Sequence, residues 1–361
     1  MVEQFYDFEP DFIVIPGETL METIESKGLS QAELAKRTGR PTKTINGIIK
    51  GTISITPDTA LQFEKVLGVP ASFWNNLEKN YRESLALVKE SELLKESEGW
   101  LEKFPIKEMK KMGWISSFKN DTDQLREVLK FFGVASVETW EDIWNPKVAF
   151  RKSDDSNQGA ISAWLRKAEL NAESISCSPF DEKMFKEAII ECRELTNEKD
   201  PNVFIPKLVE ICSKAGVAVV FLQEIPGCKV SGATKWVNSQ KALISLSLRY
   251  KSNDHLWFTF FHEAAHILLH GKKLTFIEGI TDEIYAEKED EANSFAANTL
   301  IPKHFYENLI TSKPITKQKV IRFANSINIA PGIVVGRLQR DKVIRYSYFN
   351  DLKQFYKWVK N

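Results

Sequence analysis

The sequence predicts an α+β fold that is mostly helical, with an all-α head, a helical middle region and a C-terminal domain containing a small β-sheet. Three observations predict it. Helix-spaced apolar residues with cap and turn signals fill the first 80 or so positions. A helical, aromatic-rich pattern continues to about Ala215. The period then switches to two in GVAVVFL (Gly216–Leu222) and ALISLSL (Ala242–Leu248), before helical patterning returns.

In order along the chain, Thr19–Lys27 reads as a helix ended by Gly28. Ser30 caps the next, QAELAKRT, with Glu33 three residues on as a capping box. Gly39-Arg40-Pro41 turns the chain into a helix over Thr42–Ile49, which Gly51 stops, and Pro57-Asp58 open another. From Asn80 to Pro105 the chain is charged and helical, without Gly-Ser flexibility, and is expected to be a stiff connector. Trp114, Phe131, Phe132, Trp140, Trp144 and Trp164 are expected in the core of the middle region. Ile225-Pro226-Gly227 and Ser231-Gly232 read as punctuation between the two strands. Helices follow over Leu256–Leu269 and Glu287–Leu300, then a mainly helical tail broken at Pro331-Gly332. The expected domains are residues 1–82, 83–215 and 216–361.

Of 361 residues, 43% are hydrophobic and 27% charged, which supports packed cores and excludes chain-wide disorder. Lys+Arg and Asp+Glu both number 49, so a general polyanion coat is excluded while a local basic patch is not. Four scattered cysteines without a CxxC pair argue against a disulfide scaffold, and each is expected to be a small buried hydrophobe. The N-terminus is acidic and unlike a signal peptide, and no 18-residue apolar stretch occurs. A cytoplasmic location with no membrane partner is expected.

All five histidines fall between His255 and His304. Within that window stands HEAAH. On a helix, His262 and His266 lie one turn apart on one face and can point at one cation, while Glu263 is rotated toward a water beside it. A catalytic zinc needs a third protein ligand and an open position. His270 lies another turn on, about 6 Å up the helix, too far to share the metal with His262 unless the helix breaks, and reads as a helix-end or outer residue. The following helix offers Glu287, Glu289, Asp290 and Glu291. Glu291 is the expected ligand, because it adjoins an apolar face of Ala292, Phe295 and Ala296 that would pack closely; Glu287 is the alternative. Glu289 and Asp290 read as a solvated face. His255, His304, Tyr285 and Arg249 are candidates for a further oxyanion donor.

VSGAT (Val230–Thr234), ISLSLRY (Ile244–Tyr250), FHEAAHILLHGKK (Phe261–Lys273) and EANSFAANTLIP (Glu291–Pro302) together resemble the ImmA/IrrE family of metallopeptidase domains. Leu-Ile-Pro stands where Leu-Met-Pro is common. The resemblance implies a small zincin-like fold, Zn2+ on His262, His266 and Glu291, and Glu263 as general base. It also implies an endopeptidase acting on a protein partner, often a transcriptional repressor. The chemistry is metal-assisted hydrolysis, in which the cation acidifies a water and Glu263 accepts its proton.

Gly28–Gly51 fits a helix-turn-helix, with Leu34, Ile45 and Ile48 locking the helix pair. Lys27, Lys36, Arg37, Arg40, Lys43 and Lys50 against Glu33 make this stretch basic within an acidic first 80 residues. The module resembles the phage-repressor family, and its continuation ITPDTALQFEKVLGVPASFWNNLEKNY resembles HigA-type antitoxins. That resemblance puts Gln31 at phosphate, Thr42, Lys43 and Asn46 at base edges, and Lys50 on the DNA backbone. The expected protein is therefore a DNA-binding regulator carrying a zinc endopeptidase that cleaves a regulator or itself. It is expected to work as a homodimer. The alternative is an antitoxin or autorepressor, with a toxin partner, whose zinc domain is only structural or sensory.

Overall fold

The computed structural model describes residues 14–149, 157–271, 276–277 and 286–358. The chain divides into two compact units, Met1–Glu98 and Gly99–Asn361.

The described residues of the first unit are helical: α1 (Pro16–Ser26), α2 (Gln31–Thr38), α3 (Thr42–Ile49), α4 (Pro57–Leu67) and α5 (Ala71–Glu96). The local signals act as the sequence predicts. Ser30 Oγ accepts from the Glu33 N–H at 3.1 Å, and Gly39 ends α2 at φ 66°, in the left-handed region that glycine tolerates. Thr56 caps α4 by accepting from the Thr59 N–H at 3.3 Å. Leu20, Leu34, Ile45, Ile48, Phe63 and Trp74 form one core. The charged stretch expected as a connector is the second half of α5, so the boundary drawn after residue 82 falls inside a continuous helix.

The second unit begins with α6 (Ile106–Lys111), α7 (Asp121–Phe132), α8 (Val137–Ala149), α9 (Gln158–Glu173), α10 (Glu182–Glu194) and α11 (Pro201–Lys214). Phe132, Trp140 and Trp144 are buried; Trp140 meets Trp100, Phe104 and Phe132 edge to face, and Trp144 meets Phe132 in the same way. Phe131 and Trp164 are buried as expected, whereas Trp114 is only half-buried. The sheet follows: β1 (Val217–Phe221), β2 (Gly232–Asn238) and β3 (Lys241–Leu246), then α12 (Asn253–Leu269) and a fourth short strand, β4 (Phe276–Ile277). The strand order is β1-β3-β2-β4, with β1 parallel to β3 and the other pairs antiparallel. The expected helices of the C-terminal region are α13 (Ala286–Leu300), α14 (Lys303–Thr311), α15 (Lys317–Ser326) and α16 (Pro331–Arg340).

The middle helices belong to the same body as this sheet, since α9 packs on β1 and β3 and α11 on β1. Strand β2 shows how the layers close. Lys235 points one way, to Glu169 of α9, and Thr234 the other, to Glu263 of α12. The sequence does not predict β2, because its Gly-Ala-Thr-Lys-Trp-Val-Asn run lacks an apolar alternation and its first residue reads as a turn.

Pro331 opens α16 rather than breaking the tail. Beyond Arg340 the tail departs from the expected helix. A 3-10 turn at Asn350–Leu352 leads into a short antiparallel bridge, Ser252 to Phe355, against the start of α12. There Asn253 N–H donates to the Gln354 carbonyl at 2.8 Å, and Lys353 pairs with Asp254 at 2.7 Å. Cys192, Cys212 and Cys228 are buried and Cys177 half-buried, all as free thiols. Among the described residues, no helix is long and apolar enough to cross a membrane.

Candidate functional site

Helix α12 is buried around almost its whole circumference from Leu256 to Ile267, packed on β2, β3, α13 and α16. Such a helix is normally apolar on every side. This one carries His262, Glu263 and His266 into the core, with 1%, 0% and 1% of their surfaces exposed.

The two imidazoles face each other through their Nε2 atoms at 3.0 Å. The Glu289 carboxylate closes the group, 3.1 Å from His262 Nε2 and 3.5 Å from His266 Nε2. These three donors meet at one point among the described residues. Their chemistry fits zinc: two imidazole nitrogens and a carboxylate are a common catalytic donor set. The spacing fits too, since two bonds of about 2.0–2.1 Å at a tetrahedral angle separate their donor atoms by roughly 3.3 Å.

Glu291, expected as the third ligand, stands elsewhere. Its side chain is 57% exposed against 14% for Glu289, and its Oε2 lies 3.0 Å from His270 Nε2. Glu287, the alternative, is exposed and shares an open acidic surface with Asp290 and Glu291. The reason is rotation. At 3.6 residues per turn, Glu289 lies within about 20° of Ala296 around the helix, whereas Glu291 is about 140° away. Ala296 and Ala292 are fully buried, and α13 makes its principal packing contact with α12. Projecting that small-residue face back along the helix finds Glu289; sequence adjacency to Ala292 does not.

His270 is the residue that ends α12. Its backbone is extended (φ −119°, ψ 148°), and its Nδ1 returns to within 2.8 Å of His266 Nδ1.

Glu263 is held by a residue that the sequence reading left without a role. The Thr234 hydroxyl lies 2.6 Å from Glu263 Oε2 and 3.0 Å from the Glu263 carbonyl oxygen. One strand position earlier on the same face is Gly232. A Cβ there would stand 2.5 Å from Thr259 Cγ2 and 2.9 Å from Glu263 Cγ and Oε1, so only glycine lets β2 lie this close. The signal was present in VSGAT, whose alternate residues Gly232 and Thr234 share one face of a strand.

A cavity of about 340 Å³ opens one turn toward the start of α12, lined by Tyr250, His255, Phe258, Asn293 and Arg340 among others. It shares helix faces with the metal ligands, since Phe258 precedes His262 and Asn293 follows Glu289 by one turn. The Phe258 and His262 ring centroids are 6.3 Å apart. Of the oxyanion candidates, His255 stacks on Tyr250 in this cavity. Arg249 binds the Lys229 carbonyl, and His304 is exposed beside Phe305. Tyr285 lies outside the described residues.

In the first unit, α3 buries Ile45 and Ile48 and leaves Thr42 and Lys43 exposed, with Asn46 half-buried one turn on. Lys50 follows, exposed at the helix end. Gln31 is half-buried, its amide donating to Met21 Sδ at 3.4 Å. Two of the basic residues are engaged locally, Arg37 with Glu33 at 2.6 Å and Arg40 with Gln62 at 2.7 Å.

Residues 20–74 match the helix-turn-helix family model, and residues 212–335 match the model of the IrrE N-terminal-like domain, peptidase family M78. The chain therefore joins an N-terminal helix-turn-helix DNA-binding domain to a C-terminal IrrE-like domain of a metallopeptidase family. Among solved structures it is similar to an addiction-module antidote protein of the HigA family from Coxiella burnetii. The identity is 35%, over 23% of this chain and 92% of that one, with a TM-score of 0.22. It is similar also to an antidote protein of a plasmid maintenance system from Nostoc punctiforme (28% identity, 23% and 92% coverage, TM-score 0.23). The antitoxin GraA is a third (30% identity, 22% and 87% coverage, TM-score 0.22). No curated protein matches the chain.

Replacing Gly232 with alanine should destabilise the second unit by about 1–3 kcal/mol, the usual cost of overpacking a tight site. Denaturant unfolding reads this directly, and an unchanged midpoint would contradict the close approach of β2 to α12.

Proposed function

We propose that this protein is a cytoplasmic DNA-binding regulator whose C-terminal domain is a zinc endopeptidase acting on a protein partner, itself a regulator. The observation that carries the reading is the convergence of His262, His266 and Glu289 in the core, next in sequence to a fully buried Glu263. A structural metal site has no need of that extra carboxylate, and burying one is costly unless it is hydrogen-bonded. His262 Nε2, His266 Nε2 and the Glu289 carboxylate are the proposed ligands, in place of the expected Glu291. Zinc held there supplies Lewis acidity toward a carbonyl and lowers the pKa of water.

Glu263 is the proposed general base. It takes the proton from the water that attacks the scissile carbonyl and returns it to the departing amine nitrogen. Thr234 fixes the orientation of its carboxylate through Oε2. The cavity beside Phe258 offers room for part of the substrate chain, with apolar walls and polar groups from His255 and Asn293.

In the head, Thr42, Lys43 and Asn46 are the proposed base-reading residues of α3, with Gln31 and Lys50 at the DNA backbone. A homodimer reading two half-sites is the expected assembly.

The test is metal content and cleavage together. Wild type should carry about one zinc per chain, Glu289→Ala should lose it, and Glu291→Ala should keep it at saturating zinc. Glu263→Gln should retain zinc and operator binding while losing cleavage of a repressor encoded nearby. Cleavage that persists in Glu263→Gln would overturn the peptidase reading. Wild type that cleaves nothing but holds zinc would favour the antitoxin or autorepressor reading, with a toxin as partner.

For the head, Lys50→Ala should weaken operator binding evenly across sequences and reduce the salt slope by about 1. Asn46→Ala should cost about 1–3 kcal/mol and relax discrimination at one base pair. Gel-shift titrations over a range of salt would separate the two, and equal behaviour of the variants would contradict the assignment.

A further inference from the structure

We propose that His270 and Glu291 form a hydrogen-bonded arm that fixes the tautomer and ring orientation of His266 and so sets the affinity of the metal site. This rests on the zinc reading above, and it gives Glu291 a role other than ligand.

The geometry begins at His266. Its Nε2 faces His262 and Glu289, and its Nδ1 lies 2.8 Å from His270 Nδ1. A neutral imidazole has one protonated and one bare nitrogen. To offer a lone pair from Nε2, His266 must carry its proton on Nδ1 and donate it to His270. His270 must then accept at Nδ1 and carry its own proton on Nε2. That atom lies 3.0 Å from Glu291 Oε2, an acceptor. Donors and acceptors thus alternate along the arm in one direction, ending on a carboxylate at the surface.

The alternative tautomer of His266 places a proton on Nε2, where it blocks the metal. A carboxylate at the far end disfavours that state, because His270 would then have to donate from Nδ1 and would leave Glu291 without a proton to accept. The arm also has a mechanical effect. The His266 and His270 side chains are 0% and 2% exposed, so each ring is held by packing as well as by its hydrogen bonds. Glu291, at 57% exposure, is the adjustable end.

The end of the helix makes this possible. His270 follows His266 by four residues and would stand directly above it in a continued helix. The extended backbone at His270 lets the ring fold back on His266 Nδ1 instead of rising past it. Partners that orient a ligand in this way contribute about 10–100-fold to metal affinity.

The experiment measures zinc affinity by chelator competition on the full chain, with the unfolding midpoint of the metal-free protein recorded in parallel. His270→Phe keeps an aromatic ring in the site and removes the relay. It should bind zinc about 10–100-fold more weakly than wild type and still bind one equivalent. Glu291→Ala, at an exposed position that threatens folding little, should weaken binding by about tenfold, with partial rescue in Glu291→Asp. In the zinc-loaded wild type, 15N-labelled histidine spectra should show a slowly exchanging His266 Nδ1–H, lost in His270→Phe. Wild-type affinity in both His270→Phe and Glu291→Ala would overturn the arm and leave the metal site standing. Complete loss of zinc in Glu291→Ala, with Glu289→Ala still loaded, would make Glu291 a direct ligand and overturn it too. Absence of zinc from wild type would remove the metal reading and the arm together.

Discussion

The burial of the middle of α12, residues 259–267, around its circumference constrains everything else at the C-terminal site. Every residue of that stretch is buried, so no polar side chain in it lies on an exposed face. An unpartnered polar group there costs about 1–3 kcal/mol, and a lone charge more. His262, Glu263 and His266 must therefore find their partners inside the protein, and the neighbouring elements supply them. Helix α13 brings Glu289 to the two imidazoles, β2 brings Thr234 to Glu263, and the end of α12 itself brings His270 back to His266.

Close approach is what lets these partners arrive. Ala292 and Ala296 keep α13 near α12, and Gly232 does the same for β2. The tail repeats the device on the opposite end of the helix. A Cβ on Gly332 would meet Asn253 Oδ1 at 2.7 Å and the Lys353 backbone at 2.9 Å, so a glycine in the first turn of α16 makes room for the strap that holds the start of α12. Small residues at helix and strand contacts thus place the chemistry, although none of them takes part in it.

The features legible in the sequence are those set by local rules. Ser30 with Glu33, Gly39, and Pro57 mark helix ends through their own backbone and capping bonds, and the helix limits of the head follow. The pair His262 and His266 is legible because four residues make one turn. What the sequence hides depends on packing. Glu289 and Glu291 are two acids in one run, and only the face buried against α12 tells them apart. Gly232 reads as a turn because a glycine at a close crossing looks the same as a glycine at a bend. The end of α12 at Leu269 falls where the sequence predicts it, with Gly271 just beyond, but nothing local announces that the His270 ring turns back onto His266. The bridge after Arg340 is too short for any period to reveal it.

In the proposed site α12 and α13 together hold one zinc through two imidazoles and the Glu289 carboxylate. X-ray absorption at the zinc edge of the reconstituted full chain tests it most directly. The spectrum should show nitrogen and oxygen neighbours near about 2.0–2.1 Å, multiple-scattering features that fit two imidazoles, and no sulfur. The same spectrum should persist in Glu291→Gln. A third imidazole in the shell, sulfur near 2.3 Å, or a shell that changes with Glu291 and not with Glu289 would contradict it.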